Sequence, residues 1–380
     1  MTVRLERRLD QPWWLNVAVP AGSLAVAFGI MGIVLVASGH SPWHTYRELW
    51  ISAFTGSGAL SATLISATPI LFTGLAAAVA FRMQLFNIGA EGQLYFGAVG
   101  ASFVALKMGD HGVTSTPLYV LAMCVAGGLL GALWALIPGA LRAFAHTNEI
   151  LTSLMLNYVA GYFITYLIFD SASYWRDIST LQARTFPQGK PLPSPAEWST
   201  FGSSVVVPLG FVLGLVLAAG VWVLYSRTRF GFEVSVIADS PRAARYAGMK
   251  TRRKILAVMA LSGLIAGIGG ASQIGDFTHT LDPSGLQGAA FGYTGIVVAA
   301  LARYNPIAVC VVAVLIGGLQ NAGFTLQGVD FPSGLVGVMQ GIILFCALGG
   351  ELFLRYRLRV ARRPRAQAAT AGPASPEGAG

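Results

Sequence analysis

Long apolar runs, separated by short polar connections, follow one another along most of the chain. A run of about 18 or more apolar residues is long enough to cross a bilayer as a helix. A helix also satisfies its own backbone hydrogen bonds inside lipid. The pattern therefore predicts an all-α, polytopic integral membrane protein with about ten transmembrane helices, at residues 15–38, 59–81, 85–106, 118–141, 150–169, 204–225, 255–274, 288–301, 307–325 and 333–352.

The composition supports membrane insertion. Hydrophobic residues make up 54% of the chain and charged residues only 11%, with a mean hydropathy of +0.64. A soluble domain carries roughly 25% charged residues. The three cysteines lie within predicted spans, and neither they nor the five histidines show ligand spacing. We therefore expect neither a disulfide framework nor a metal site.

The basic residues fall mostly on one side of this topology. With the N-terminus inside and the spans alternating, twenty of the 25 Lys and Arg residues face the same side. The positive-inside rule assigns that side to the cytoplasm and places both the N- and the C-terminus there. The net charge of +9 thus reflects orientation, and we expect no nucleic-acid partner. The basic residues on the outside are Arg47, Lys107, Arg176, Arg184 and Lys190.

The polar segments divide the chain into regions. Residues 1–14 form a cytoplasmic N-terminus, 15–354 the transmembrane domain, and 355–380 a basic cytoplasmic tail, whose Pro, Ala and Gly content predicts disorder. The long external segment 170–202 is either an ordered cap that offers a docking rim, or an irregular surface loop. We favour the irregular loop.

The cytoplasmic segment 226–254 contains a predicted short helix. Ser240 suits the N-cap position, Pro241 the first helical position and Gly248 the C-terminal stop. Its alanines permit close approach by another surface, and its arginines favour bidentate contacts to carboxylates. Two interpretations remain open: a docking helix for a cytoplasmic partner, or a membrane-surface helix held by anionic lipid.

Glu91 is the one acidic residue that lies clearly within a predicted span. It follows Leu85 by six residues, about 9 Å along a helix, so it lies some way into the bilayer unless the backbone unwinds at Gly89 and Gly92. A carboxylate at this depth is a functional candidate that contacts substrate. The structural alternative is that Glu91 caps a broken helix or pairs with Arg82.

Other polar residues also lie at depth in the predicted spans: Asn157, Tyr158, Gln320, Asn321 and Gln340. Each either hydrogen-bonds a substrate or bridges two helices, which is the commoner use. Glycine pairs spaced by four predict closely packed helices, namely Gly127 and Gly131, Gly210 and Gly214, Gly263 and Gly267, and Gly337 and Gly341.

The chain lacks the motifs of an ATPase or a hydrolytic enzyme. No phosphate-binding P-loop and no catalytic arrangement of Ser, His or paired carboxylates stands out, so we expect a transport subunit and not an enzyme. Buried charges are nearly absent, whereas ion-coupled carriers usually carry acidic relays in their spans. We therefore favour transport coupled to a separate motor protein. The alternatives are an ion-coupled secondary transporter or channel and, with less support, a structural membrane scaffold.

Four sequence blocks together resemble a known family. They are FNIGAEGQLYFGAVGA (86–101), TNEILTSLMLNYVAGY (147–162), GFEVSVIADSPRAARYAGM (231–249) and FGYTGIVVAALARYNP (291–306). Their order and spacing are similar to those in permeases of bacterial ABC importers, a group that serves branched-chain amino acids and sugars such as ribose. The closer resemblance is to the nucleoside branch, which is associated with basic-membrane-protein-type lipoproteins. The resemblance covers residues 45–354.

The resemblance implies a set of partners for this chain. A second, homologous permease would complete the passage, as a heterodimer, and ATP-binding cassette subunits would dock from the cytoplasm. A lipoprotein or periplasmic protein would deliver substrate from outside, and membrane lipid would surround the complex in the bacterial cytoplasmic (inner) membrane. No cofactor is expected on this chain, because ATP and Mg belong to the partner subunit.

The resemblance also bears on the site residues. It identifies the short cytoplasmic helix as the ATPase-coupling element, formed by Pro241, Arg242, Ala243, Ala244, Arg245, Tyr246 and Gly248. The cargo implied is a nucleoside, with simple sugars as the alternative. The candidates for the substrate pathway are polar residues at depth, four of them within the matching blocks: Asn87, Glu91, Gln93, Asn157 and Asn321.

Overall fold

The computed structural model describes residues 2–7, 14–326 and 334–361. These residues form mostly helices, with four short strands. The strands are β1 (Thr2–Arg7), β2 (Thr200–Phe201), β3 (Val207–Pro208) and β4 (Tyr356–Ala361). The helices are α1 (Leu15–Ala37), α2 (Pro42–Trp50), α3 (Ala59–Phe81), α4 (Ala90–Asp110), α5 (Thr116–Ala145), α6 (Glu149–Thr165), α7 (Leu181–Thr185), α8 (Leu209–Arg227), α9 (Arg229–Asp239), α10 (Pro241–Tyr246), α11 (Thr251–Ser272), α12 (Pro283–Ala289), α13 (Phe291–Leu301), α14 (Pro306–Thr325) and α15 (Leu335–Arg355).

The chain is a multi-pass membrane protein. Within the described residues, seven helical segments are long and apolar enough to cross a membrane. They are Ala59–Phe81, Thr116–Ala145, Glu149–Asp170, Leu209–Arg227, Thr251–Thr278, Pro283–Leu301 and Pro306–Thr325. Each of the ten predicted spans lies wholly or mainly on a helix, and the three outside this set of seven correspond to α1, α4 and α15. Of the tail 355–380 that was predicted to be disordered, Tyr356–Ala361 forms strand β4, which corrects that part of the prediction, and 362–380 lie outside the described residues.

Two predicted spans are interrupted where the sequence pattern suggested continuous helix. The segment before Ala90 is not helical, and Gln84 has a φ of +55°, so the third span starts five residues later than predicted. The eighth span is broken at Ala290, whose φ is +50°, into the short helices α12 and α13. Both breaks lie against buried polar side chains, described below, because exposed backbone groups at depth need protein partners.

Helix α3 forms the centre of the bundle and packs against α11, α13 and α14. Helices α5 and α11 cross in backbone contact: a Cβ on Gly267 would meet the carbonyl oxygen of Gly127, and one on Gly263 would meet that of Gly131. The glycine spacing predicted this approach. The prediction fails for the pair at 337 and 341, where a Cβ would meet open space.

Segment 170–202, which was predicted to be external, packs back onto the bundle as a cap, although most of its backbone is neither helix nor strand. Trp198 is buried, and its backbone N–H donates to the carbonyl of Gly275 at 2.9 Å. The N–H of Leu192 donates to the carbonyl of His279 at 2.8 Å. These backbone bonds tie the segment to the helical extension of α11 at Gln273–Thr278 and to His279, through contacts that are distant in sequence.

Strands β1 and β4 bring the two ends of the described chain together. They pair antiparallel, from Thr2 opposite Ala361 to Arg7 opposite Tyr356. Helices α1 and α15, which follow and precede these strands, also pack against each other. Strands β1 and β4, at the two ends of the described residues, therefore lie together at one face of the helix bundle.

Candidate functional site

The start of α4 is held by a pair of buried amide side chains. Asn87 and Gln93 donate to each other's carbonyl oxygens at 3.0 Å in both directions. Asn87 Oδ1 also accepts the backbone N–H of Gly89, and its Nδ2 donates to Ser262 Oγ on α11 at 2.9 Å. Both side chains are buried and their polar groups bond within the chain. They fix the non-helical turn that precedes α4.

On the other side of this turn, the side chain of Glu91 binds the start of α13, the helix that follows the break at Ala290. Its Oε1 accepts the hydroxyl of Tyr95 at 2.6 Å, and its Oε2 accepts the backbone N–H of Gly292, the second residue of α13. A carboxylate is stabilised at a helix N-terminus, where unpaired N–H groups carry partial positive charge. Of the two structural roles considered from sequence, capping is found, and the pairing with Arg82 is wrong because that guanidinium binds elsewhere.

Asn157 on α6 completes the same network. Its Oδ1 accepts the backbone N–H of Gly92 at 2.9 Å, and its Nδ2 donates to the carbonyl of Ile88 at 2.9 Å. The same Nδ2 lies 3.4 Å from the hydroxyl oxygen of Tyr293. One amide side chain therefore satisfies backbone groups on both sides of the α4 start and reaches α13.

A cleft of about 460 Å³ opens next to this network. We call it the tyrosine cleft; its polar and aromatic lining consists of Glu91, Tyr95, Asn157, Tyr158, Tyr162, Gln287 and Tyr293. Tyr162 is 74% exposed and Tyr158 57% exposed, so one face of α6 presents aromatic rings to the outside of this chain. The structure thus brings Glu91 and Asn157 to one cavity, and the tyrosines were missed as a group because no local motif joins them.

The remaining polar candidates bridge helices. Asn321 lies apart from the tyrosine cleft, where its Nδ2 donates to the carbonyl of Ser52 at 3.2 Å and lies 3.4 Å from Thr63 Oγ1. Gln320 Nε2 donates to the carbonyl of Ala289 at 2.9 Å, at the break between α12 and α13. Gln340 Oε1 accepts the hydroxyl of Thr294 at 3.3 Å.

A second intramembrane carboxylate, Asp276, was not singled out from the sequence. Its Oδ2 accepts the hydroxyl of Ser272 at 2.7 Å and the backbone N–H of Gly210, near the start of α8, at 3.0 Å. Asp276 therefore caps a helix N-terminus from a neighbouring element, as Glu91 does. It was missed because it follows the predicted end of its span by two residues, whereas the helix continues to Thr278.

Segment 226–254, which was predicted to be cytoplasmic, forms the predicted short helix and one more. Helix α10 begins after Ser240, whose hydroxyl accepts the N–H of Ala243 at 3.3 Å, and it ends before Gly248, which has a φ of +77°. Ala244 is buried while Tyr246 is 94% exposed. Both arginines of the helix, Arg242 and Arg245, are exposed. Helix α9, of eleven residues, was not predicted.

A cavity of about 770 Å³ lies between α9, the residues after α10, and the start of α11. Lys254 Nζ and Glu233 Oε2 form an ion pair at 2.7 Å at this cavity. The cation of Lys254 also lies 4.5 Å from the ring centre of Phe230. These contacts fix α9 to α11, and α9 in turn packs against α10.

The described residues contain no group of three or more His, Cys, Asp or Glu side chains that would hold a metal ion.

At the C-terminal end of α4, Tyr174 donates its hydroxyl to Asp110 at 2.5 Å. This hydrogen bond holds the pKa of Asp110 below its usual value. Burial, followed by the neighbouring carboxylate, raises the pKa of Tyr174 to about 12.

Comparison with known proteins places this architecture among transport components. Residues 59–348 match the family described as branched-chain amino acid transport system / permease component. A glucose ABC transporter permease of Haloferax volcanii is 31% identical over 376 residues, covering 94% of this chain and 94% of that protein. A guanosine ABC transporter permease of Bacillus subtilis is 30% identical (87% and 92% covered). A nucleoside ABC transporter permease of Lactococcus lactis is 28% identical (87% and 90% covered).

Proposed function

The chain belongs to the branched-chain amino acid transport system / permease component family, and we propose that it passes nucleosides through the membrane in an ABC importer. The family match confirms the resemblance found in the sequence. The protein is a membrane-embedded permease subunit, a transport component and not an enzyme. As such it works with an ATP-binding subunit and a substrate-binding partner.

The tyrosine cleft is the observation that carries the nucleoside proposal. Its volume of about 460 Å³ is in the range of small-molecule sites, which are about 300–1,000 Å³. Stacking of a base on an aromatic side chain contributes about 1–3 kcal/mol. Tyr158, Tyr162 and Tyr293 supply such faces, and Glu91 and Asn157 place polar atoms beside them. The similar guanosine and nucleoside permeases point to the same cargo class.

The cleft supports pairing with a second permease. It opens on the face of α6 that carries the exposed Tyr158 and Tyr162, together with the apolar Met155 and Val159. A homologous permease packed on this face would close the cleft into a passage, with this chain forming half of it. We favour a heterodimer, as the sequence resemblance implies.

The proposed topology has ten spans and cytoplasmic termini. Helices α1, α4 and α15 coincide with the three predicted spans outside the set of seven, which supports ten crossings. The pairing of β1 with β4 supports an even number, because an even number of crossings returns the chain to its starting side. The excess of basic residues on that side favours the cytoplasm.

The ATP-binding subunit is proposed to dock on α10. Its exposed Tyr246 and arginines offer aromatic and bidentate contacts, which are common anchors of protein interfaces. The buried Ala244 anchors the helix to the bundle, so a push on α10 would pass through α9 to α11. ATP and Mg would bind only to that partner. A lipoprotein or periplasmic protein would supply cargo at the outer face of a bacterial inner membrane.

Simple sugars are the second candidate cargo, because the glucose permease of Haloferax volcanii is as similar to this chain as the guanosine permease is. Labelled guanosine, uridine, ribose and glucose should be tested in proteoliposomes that hold this chain, its second permease and the ATP-binding subunit. We expect ATP-dependent uptake of nucleosides and little uptake of sugars. Sugar uptake without nucleoside uptake would transfer the proposal to sugars.

The same vesicles test the mode of coupling. Uptake should disappear when the ATP-binding subunit is left out or its ATP is replaced by a non-hydrolysable analogue. Accumulation by this chain alone, driven by a proton or sodium gradient, would contradict ATP-driven transport and favour a secondary carrier.

A further inference from the structure

A cleft of about 620 Å³ opens between α1, the end of α3, the end of α13 and the start of α14. We call it the Arg82–Arg303 cleft, after the two cationic side chains that line it. It lies away from the tyrosine cleft and shares no lining residue with it. The function proposed above makes no use of it.

Arg82 is a half-buried cation in this cleft. Its Nε donates to the backbone carbonyl of Tyr304 at 3.2 Å, and its guanidinium lies 5.1 Å from the ring centre of Tyr225. In the described part of the chain, no carboxylate is within ion-pairing distance of Arg82. A guanidinium held by a carbonyl and a ring keeps its positive charge, and among the described residues no carboxylate neutralises that of Arg82.

Arg303, the second cationic residue of the cleft, lies in a turn with unusual backbone angles. Arg303 and Tyr304 are consecutive non-glycine residues with φ of +50° and +60°. Such conformations persist only where the surroundings impose them, and they cluster at ligand sites. Asn305 follows at once and caps α14 through Ile307 N–H at 3.0 Å, so the positive end of a 20-residue helix also faces the cleft.

The rest of the cleft is apolar and runs along the bundle. Ala308, Val312 and Leu315 line it from α14 at spacings of four and three residues, which places them on one helix face. From Ala308 to Leu315 this stripe runs about 10 Å along the helix. Leu24 of α1 also lines the cleft. The cleft therefore has cationic groups at one end and an apolar stripe leading away from them. This arrangement matches an amphiphilic molecule with an anionic head group.

The arginines lie at the end of the bundle from which the cytoplasmic helices project. Arg82 stacks on Tyr225 near the end of α8, and Tyr225 lies 6.0 Å from Phe230 of α9, measured between ring centres. In a polytopic protein, basic pockets between helices on the cytoplasmic side bind the head groups of anionic lipids.

From these observations we propose that the Arg82–Arg303 cleft binds an anionic phospholipid, with its phosphate between the two guanidinium groups and an acyl chain along Ala308, Val312 and Leu315. A free phosphate ion shares the head-group chemistry but would leave the apolar stripe exposed. The lipid fills both parts of the cleft.

Native mass spectrometry of the full-length chain tests this proposal. The protein is mixed with equal amounts of dioleoylphosphatidylglycerol and dioleoylphosphatidylcholine, and the retained lipid of each kind is counted. We expect preferential retention of phosphatidylglycerol, reduced about fivefold by Arg82→Gln or Arg303→Gln. Arg252→Gln, a cation on the same side but outside the cleft, is the matched control and should keep the preference.

Two further arms test the acyl chain and the phosphate group separately. Ala308→Trp fills the stripe and should reduce retention of phosphatidylglycerol, whereas Val311→Trp, on the exposed face of the same helix, should not. Inorganic phosphate at millimolar concentration should fail to displace the lipid. Unchanged preference in both arginine variants, equal effects of the two tryptophans, or displacement by phosphate would each overturn the proposal.

Discussion

The side chain of Glu91, in the first turn of α4, accepts a hydrogen bond from the backbone N–H of Gly292, in the first turn of α13. The two residues are separated by 201 positions in sequence. The contact places a carboxylate at the N-terminus of a helix that begins inside the bundle. It shows how the chain stabilises a break in its eighth span without a local capping side chain, which Ala290 does not provide.

Replacing Glu91 by alanine should destabilise the protein. The N-terminal N–H groups of α13 lose their acceptor, and loss of a capping group costs about 0.5–2 kcal/mol. Thermal unfolding of the purified protein should show a lower midpoint for Glu91→Ala than for Glu91→Gln, which keeps one acceptor oxygen. Glu197→Ala, on the exposed external segment, is the control. Equal midpoints for wild type and Glu91→Ala would refute the capping role.

Gly292, whose backbone N–H donates to Glu91, should not accommodate a side chain. A Cβ on Gly292 would overlap the backbone and the carboxylate of Glu91, so Gly292→Ala should cost about 1–3 kcal/mol of stability. Gly288→Ala, four residues earlier in α12, meets open space and should leave the unfolding midpoint nearly unchanged. A Gly292→Ala protein as stable as Gly288→Ala would show that the two helices are not held this closely.

Charge reversal on α10 should uncouple transport. We expect the double variant Arg242→Glu, Arg245→Glu to insert normally and to lose about tenfold or more of its substrate-stimulated ATP hydrolysis in the assembled complex, because like charges then face the partner's carboxylates. Arg227→Glu with Arg252→Glu, which changes the net charge equally outside α10, is the control. Normal coupled hydrolysis in the α10 variant would argue against docking there.

Loss of the most exposed ring in the tyrosine cleft should impair uptake of nucleosides. Tyr162→Ala removes a stacking face, so uptake at low substrate concentration should fall about fivefold or more. Tyr166→Ala removes an equally large exposed ring that lies on the same segment but does not line the cleft. Equal uptake by the two variants would mean that the cleft does not contact the cargo.

The contact between Tyr174 and Asp110 should make the stability of the external cap depend on pH. Because the folded-state pKa of Asp110 lies below the usual value of 3.8, its contribution is present above that value and is lost as pH falls through the lowered pKa. Acidification from pH 6 to pH 3 should therefore lower the unfolding midpoint of the wild type more than that of Tyr174→Phe. Parallel curves would show that the contact adds nothing.

Local and long-range features differed in how well the sequence predicted them. The helix after Ser240 was predicted because its cap, its first-turn Pro241 and its terminating Gly248 lie within nine consecutive residues. The role of Glu91 stayed open because its partner is a backbone N–H from a distant segment, which no local pattern identifies. Helix α9 was not predicted because its eleven residues lie in a charged connection and are too few to form a long apolar run. The packing of segment 170–202 onto the bundle was not predicted because its backbone bonds go to the distant extension of α11 and to His279.

Helix N-termini commonly bind phosphate through their free N–H groups. At the start of α13 that position is already taken by a carboxylate of this same chain, beside the proposed route of the cargo. A phosphate group would therefore find the N–H of Gly292 already occupied by Glu91. If the cargo is a nucleoside, as proposed, the occupied start of α13 favours the unphosphorylated form over the nucleotide, which would need a phosphate site of its own.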